Sequence, residues 1–397
     1  MTNTHIVQSL HVQSAPAQLS YKELDILHSL RGLCAFYVVV FHAKYILWSG
    51  GSSYLLAVPR NTWTIKNYFV FALDIASSAG YEMVIFFFVL SGFFIRYAQL
   101  KKQRPASEFY LNRIVRIYPP YLASVLLAGL VLAYVANYHP QLLTTSIGRE
   151  LNAGLLHAWQ AMHPLTFSTV GKTLFFLRPG ENFFGYNNVY WSLLPEALFY
   201  LLVPLAFWKP KYYYALSGAA YVFGLAAPIM QLPSSVWGDF VLSYNGYFAL
   251  GMALYDLVSH RPNWLNAFRQ VNGRWLVMTL PSLLLLLITV AAFHIRCVSG
   301  PLSALLAVVS ISTLLAGRIS RQNVLVRAFH EVGVFSFSLY LYHFPMLILC
   351  YAALVSYTGV MVNYDHYYWV LLPVVTVGCY MLYYVTERLA VKYFRQV

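Results

Sequence analysis

Ten stretches of about 18 to 25 predominantly apolar residues recur along the chain, at 27–48, 80–98, 117–137, 189–208, 212–231, 238–258, 275–294, 299–317, 333–357 and 367–388. A helix needs about that many residues to cross roughly 30 Å of hydrocarbon. Only closed hydrogen-bonding structures survive there, so the spacing predicts an all-α, polytopic bundle of about ten transmembrane helices. Composition agrees: 10% of the 397 residues are charged, against about 25% in a soluble domain. The segment 68–79 reads either as part of the second span or as a short interfacial helix. The first twenty residues are polar, without the apolar core of a cleavable signal, so the first apolar helix is expected to direct its own insertion.

Basic residues fix the orientation. With the N-terminus inside, 19 of the 26 Lys and Arg fall on the cytoplasmic side. The short outer connections near 232–237 and 358–366 have none. This is the positive-inside bias, and it predicts both termini in the cytoplasm. The net charge of +13 therefore reads as membrane placement. The Lys and Arg lie between apolar runs with no stripe for nucleic acid. Residues 1–23 read as a polar cytoplasmic tail and 24–397 as one membrane domain. Its longest non-spanning stretch, about 138–188, is outside and long enough to be a lid or binding wall. The four cysteines are dispersed among apolar residues and form neither a disulfide framework nor a zinc spacing. No metal-ligand spacing appears among the histidines.

Several polar residues fall where burial is costly. Arg31 and His42 are eleven positions apart, which brings both to one helical face with a rise of roughly 16 Å. His42 then lies well inside the membrane, where an ionisable side chain marks a functional site by default. A neutral imidazole there could act as general base or nucleophile, or serve only as a packing histidine satisfied by a neighbour. Arg113 and Arg116 share a face three residues apart. They suit phosphate oxygens, or simply anchor the helix at the inner boundary. Glu196 follows Trp191, Ser192 and Pro195 into the fourth span, where it could orient an imidazole or bind an acceptor hydroxyl. Ser91 and Gly92 permit close helix approach. His343, two residues before Pro345, is a ligand or a structural polar contact. Asp74, Glu82, Asp239 and Asp365 are expected on the outer side, solvated or facing a sugar.

Taken together, these segments resemble the membrane acyltransferase-3 family of O-acyltransferases. Leu30-Arg31-Gly32-Leu33 with His42 is similar to its Arg-x10-His first helix. Phe88 to Phe93 is similar to Phe-x-x-Ser-Gly-Phe, and Arg113 with Arg116 to its Arg-x-x-Arg pair. Trp191 to Tyr200 is similar to Trp-Ser-Leu-x-x-Glu-x-x-Phe-Tyr, and Ser336 to Pro345 to its late Ser-Tyr-Ser-Leu-Tyr-Leu-x-His-x-Pro segment. The order is preserved from about residue 24 to 390. One departure stands at His28, where the family usually has Asp; Asp25 lies three residues upstream.

The resemblance implies an acyl-CoA donor, usually acetyl-CoA, bound at the cytoplasmic side by Arg31, Arg113 and Arg116. It implies a glycan or glycolipid acceptor near the outer side, with Glu82, Trp191, Ser192 and His343 as candidate substrate contacts. His42 and Glu196 would be the catalytic pair in a bacterial inner-membrane enzyme with no bound cofactor. A transporter or flippase that uses the buried ionisable residues as a path is the alternative; no inverted repeat is visible to favour it.

Overall fold

The computed structural model describes residues 19, 21–48, 50–227, 230, 231, 233, 235–362 and 368–394. Most of the tail 1–23, together with Asp365, His366 and Arg395, lies outside the described residues. Those described form helices and no strands, as segments must when hydrocarbon offers the backbone no partner.

The first three expected spans are α1 (His28–Leu47), α2 (Gly80–Lys102) and α3 (Ala106–Tyr138). The long connection at about 138–188 carries α4 (Glu150–Met162), and α5 (Leu193–Trp208) follows it. Next come α6 (Pro210–Ala226), α7 (Asn245–His260), α8 (Gly273–Ala292) and α9 (Arg296–Leu315). The chain finishes with α10 (Val324–Val334), α11 (Ser336–Thr358), α12 (Tyr368–Val385) and α13 (Glu387–Phe394).

Among the described residues, eight segments are long and apolar enough to cross a membrane, where the sequence predicts about ten. The stretch expected at 212–231 is α6, with 17 residues, the short end of what spans. The stretch expected at 238–258 is interrupted by a π turn at Phe240–Tyr244 and carries Asn245 and Asp256. Residues 68–79 belong mostly to a separate amphipathic helix, Ile65–Ala76, that ends before α2. Its Ile65, Tyr68 and Phe69 are exposed, which suits an interfacial helix.

Helix α1 is the hub. It packs against α2, α10, α11 and α12, and 12 of its 20 residues are buried, so polar groups on it face protein and not lipid. Helix α11 is nearly as enclosed and also packs on α3. By contrast, α8 and α12 turn wide apolar faces outward, as expected of helices at the lipid boundary. This long connection docks onto the end of α1. Arg149 donates to the carbonyls of Tyr45 (3.0 Å) and Ile46 (2.7 Å), which have no helical partner at a C-terminus. The hydroxyls of Tyr45 and Tyr186 meet at 3.1 Å beside it.

Candidate active site

The packing of α1 on α11 brings together two histidines 301 residues apart. His42 Nδ1 lies 2.9 Å from His343 Nε2. His343 Nδ1 in turn lies 2.9 Å from the Leu339 carbonyl. His343 is fully buried, and the rings of Phe41 and Phe344 each stand edge-on to His42 at 5.1 Å. The proline after His343 shapes this wall. Pro345 has no N–H to give the carbonyl four residues back. That carbonyl, of Leu341, accepts instead from Ser124 Oγ at 2.8 Å and Asn187 Nδ2 at 3.0 Å. The helix thus continues through the proline, tied to α3 and to the segment before α5.

A second constellation lies toward the basic end of the bundle. Arg31, Arg113, Arg116, Glu196 and Tyr200 line one cleft with Phe87, Ser91, Phe94 and Phe337. Arg113 and Arg116 sit inside α3, which begins at Ala106 and is not broken by Pro119 or Pro120, so the helix extends N-terminally beyond the apolar stretch expected at 117–137. The Arg31 guanidinium is 6.0 Å from the Phe94 ring, and Arg113 is 5.6 Å from Tyr200. Arg113 donates to Asn112 Oδ1 at 2.7 Å, yet its buried Nε has no partner. Among the described residues, no carboxylate pairs with Arg31, Arg113 or Arg116 at salt-bridge distance. The lone carboxylate in the cleft wall, Glu196, accepts from the Tyr200 hydroxyl. Three guanidinium groups against one carboxylate leave a strong positive field in low-dielectric surroundings, an arrangement suited to a multiply charged anion.

Glu196 therefore stands with the arginines and makes no hydrogen bond to His42. Between the cleft and the histidines lie aromatic rings. Phe87, in the cleft wall, is 6.4 Å from Tyr340, and Tyr340 is 6.2 Å from His343. The Tyr340 hydroxyl donates to the Val189 carbonyl and meets Ser192 Oγ at 2.7 Å. Ser192 is thus committed to the wall that joins α11 to the start of α5.

The outer candidates sit apart from one another. Trp191 stacks on Tyr81 at 5.5 Å, and Arg296 lies 5.0 Å over the same Tyr81 ring. Glu82 is buried, with Oε1 accepting from Ser299 Oγ at 2.6 Å. Asp74 pairs with Lys44 at 3.1 Å, so neither carboxylate is a freely solvated group. At the position of the family departure, Asp25 accepts from His330 Nε2 at 3.1 Å and lies 3.9 Å from Arg321. The His28 ring stands 5.8 Å from His330.

Sequence reading missed the bidentate pair of Arg96 with Asp256, at 2.8 and 2.9 Å, joined by the Tyr214 hydroxyl at 2.8 Å. The signal was present, since Asp256 interrupts an apolar run between Met252 and Val258. The roles of Ser124 and Asn187 had no local signal.

No curated protein and no solved structure matches this chain. A family model described as an acyltransferase domain matches residues 24–384, nearly its whole length and the entire stretch that holds both constellations. The chain belongs to the acyltransferase-3 family and is a multi-pass membrane acyltransferase.

Proposed function

We propose that this enzyme moves an acyl group, most simply acetyl, from cytoplasmic acyl-CoA to a hydroxyl of a carbohydrate-type acceptor, and that it works in a bacterial inner membrane. The observation that carries the donor is the arginine cleft. Three guanidinium groups with one carboxylate among them inside a protein are costly, and the phosphates of CoA would supply the missing charge. The thioester end would extend from the cleft toward His42, past Phe87 and Tyr340.

His42 is the residue for the chemistry. As base, its free ring nitrogen takes the proton of the acceptor hydroxyl while that oxygen bonds to the thioester carbonyl carbon. Collapse of the tetrahedral adduct breaks the C–S bond. The departing sulfur takes the same proton from the imidazolium, giving ester and free thiol. In the covalent variant, that nitrogen attacks the thioester carbon and the C–S bond breaks, expelling the CoA thiolate; the acceptor oxygen then bonds to the acyl carbon, the N–C bond breaks, and the hydroxyl proton passes to the thiolate. Glu196, beside the arginines, would help to order the donor end of the site. Trp191, Tyr81 and Arg296 offer an aromatic and basic surface for the acceptor.

The experiment is calorimetric titration of acetyl-CoA into purified full-length protein and into Arg113→Ala. The wild type should bind saturably, and the variant about 10- to 100-fold more weakly, the worth of one or two charge-assisted hydrogen bonds. Equal binding by both proteins would remove Arg113 from the donor site, and absence of binding by folded wild type would remove the CoA reading.

A further inference from the structure

Among the described residues, His343 is the polar side chain within hydrogen-bonding distance of the proposed base, and both of its ring nitrogens are already engaged. The partners fix where the protons lie. The Leu339 carbonyl can only accept, so His343 Nδ1 carries a hydrogen. In a neutral imidazole the other nitrogen is then an acceptor. His343 Nε2 therefore offers a lone pair to His42, and the 2.9 Å contact requires His42 Nδ1 to donate. His42 is left with its proton on Nδ1 and an open lone pair on Nε2, for which the described residues provide no partner. The Val38 carbonyl also faces this imidazole. As a carbonyl it can only accept, so it supplies no hydrogen to either ring nitrogen. His343 Nε2 has no other donor among the described residues.

From this chain of three groups we infer that His343 is the positioning residue that sets the tautomer and ring orientation of His42, so that Nε2 is the reacting atom. The inference rests on the acyl-transfer reading of His42. It holds equally for proton abstraction and for an acyl-imidazole, since both use the Nε2 lone pair. It also replaces the expectation that His343 contacts substrate: with Nδ1 on Leu339 and Nε2 on His42, the ring has no polar atom left to offer. The logic is that of a catalytic imidazole oriented by an acceptor on its far nitrogen. Here the acceptor is a neutral ring and not a carboxylate, so it directs the proton without adding a second charge inside the membrane. Pro345 and the tie from Leu341 to Ser124 and Asn187 hold that part of α11 in place.

The test uses full-length protein, labelled with nitrogen-15 histidine, in liposomes. Solid-state NMR reads the tautomer of His42, assigned by difference against His42→Gln, and needs no acceptor. Thioester cleavage is followed separately as thiol released from acetyl-CoA. Wild type should show Nδ1–H and bare Nε2 at His42. His343→Gln places an amide oxygen near the lost Nε2, so it should keep that tautomer and stay within about tenfold in turnover. His343→Met offers no such acceptor. It should give mixed tautomers and lose on the order of 100-fold in kcat with an unchanged KM for acetyl-CoA. A wild-type His42 protonated on Nε2 would overturn the inference, as would a Met variant with wild-type tautomer and turnover. Wild type with the expected tautomer but no thioester cleavage would instead support the positioning role and count against the acyl-transfer reading.

Discussion

At the scale of single residues, Glu82 shows how a membrane carboxylate can be structural. It is 4% exposed, and both its side chain and its carbonyl are taken by α9, through Ser299 Oγ and Ser303 Oγ. An amide oxygen accepts a hydroxyl hydrogen as a carboxylate does, so Glu82→Gln should melt within a few degrees of wild type and keep its turnover. Glu82→Leu removes the acceptor and strands a buried hydroxyl, at a cost of about 1–3 kcal/mol. Thermal unfolding in detergent, with acetyl-CoA turnover on the same samples, checks both. A Gln variant that is stable but inactive would return Glu82 to the substrate site. Depth along a single helix was legible before the fold was known. Arg31 and His42 share a face because their spacing repeats the helical turn, and a histidine at that depth asks for a partner. The identity of the partner was not legible. His343 lies 301 residues away, and only the crossing of α1 with α11 brings it within reach.

At the scale of helices, small residues decide which pairs come close. A Cβ added to Gly92 of α2 would lie 2.0 Å from the carbonyl oxygen of Phe248, and one added to Gly251 of α7 would lie 2.0 Å from that of Val89. The two glycines face each other's backbones, which lets α2 and α7 pack without a layer of side chains between them. The same reciprocal contact joins Gly32 of α1 to Phe329, and Gly333 of α10 to the His28 carbonyl. Gly92→Ala must push two main chains apart, since a carbonyl cannot rotate away as a side chain can. Overpacking of this kind costs about 1–3 kcal/mol. The variant should unfold at a lower temperature in detergent, while Gly218→Ala, where added atoms meet open space, should not. An unchanged midpoint for Gly92→Ala would mean that the two helices are not held this close. Hydropathy located most of these helices because apolar length is a local property. It does not register that α6 is short or that a π turn precedes α7, since both depend on turns and polar insertions that tertiary contacts stabilise. At α3 hydropathy marked only the apolar part of a helix that begins earlier, at Ala106.

At the scale of the whole molecule, the two constellations divide the membrane between them. The cleft of Arg31, Arg113 and Arg116 lies toward the end where Arg321 meets Asp25. The histidine pair lies deeper, beneath the outer loop that Arg149 clasps to the end of α1. A donor from the cytoplasm and an acceptor from outside could then meet at His42 without either substrate crossing the full bilayer, provided the basic end faces inward. Charge placement predicts that orientation, because a surplus of Lys and Arg resists translocation. The test is cysteine labelling in intact cells with a membrane-impermeant maleimide. Ser146→Cys, exposed in the outer loop, should react at once; Ser320→Cys, exposed between α9 and α10, should react only after permeabilisation. Exchange of those two results would turn the arginine cleft to the outside, away from the cytoplasmic pool of CoA. The donor would then have to be an anion available at the outer face, such as a phosphate-linked acyl carrier, and the cleft would keep its chemistry but lose its proposed substrate.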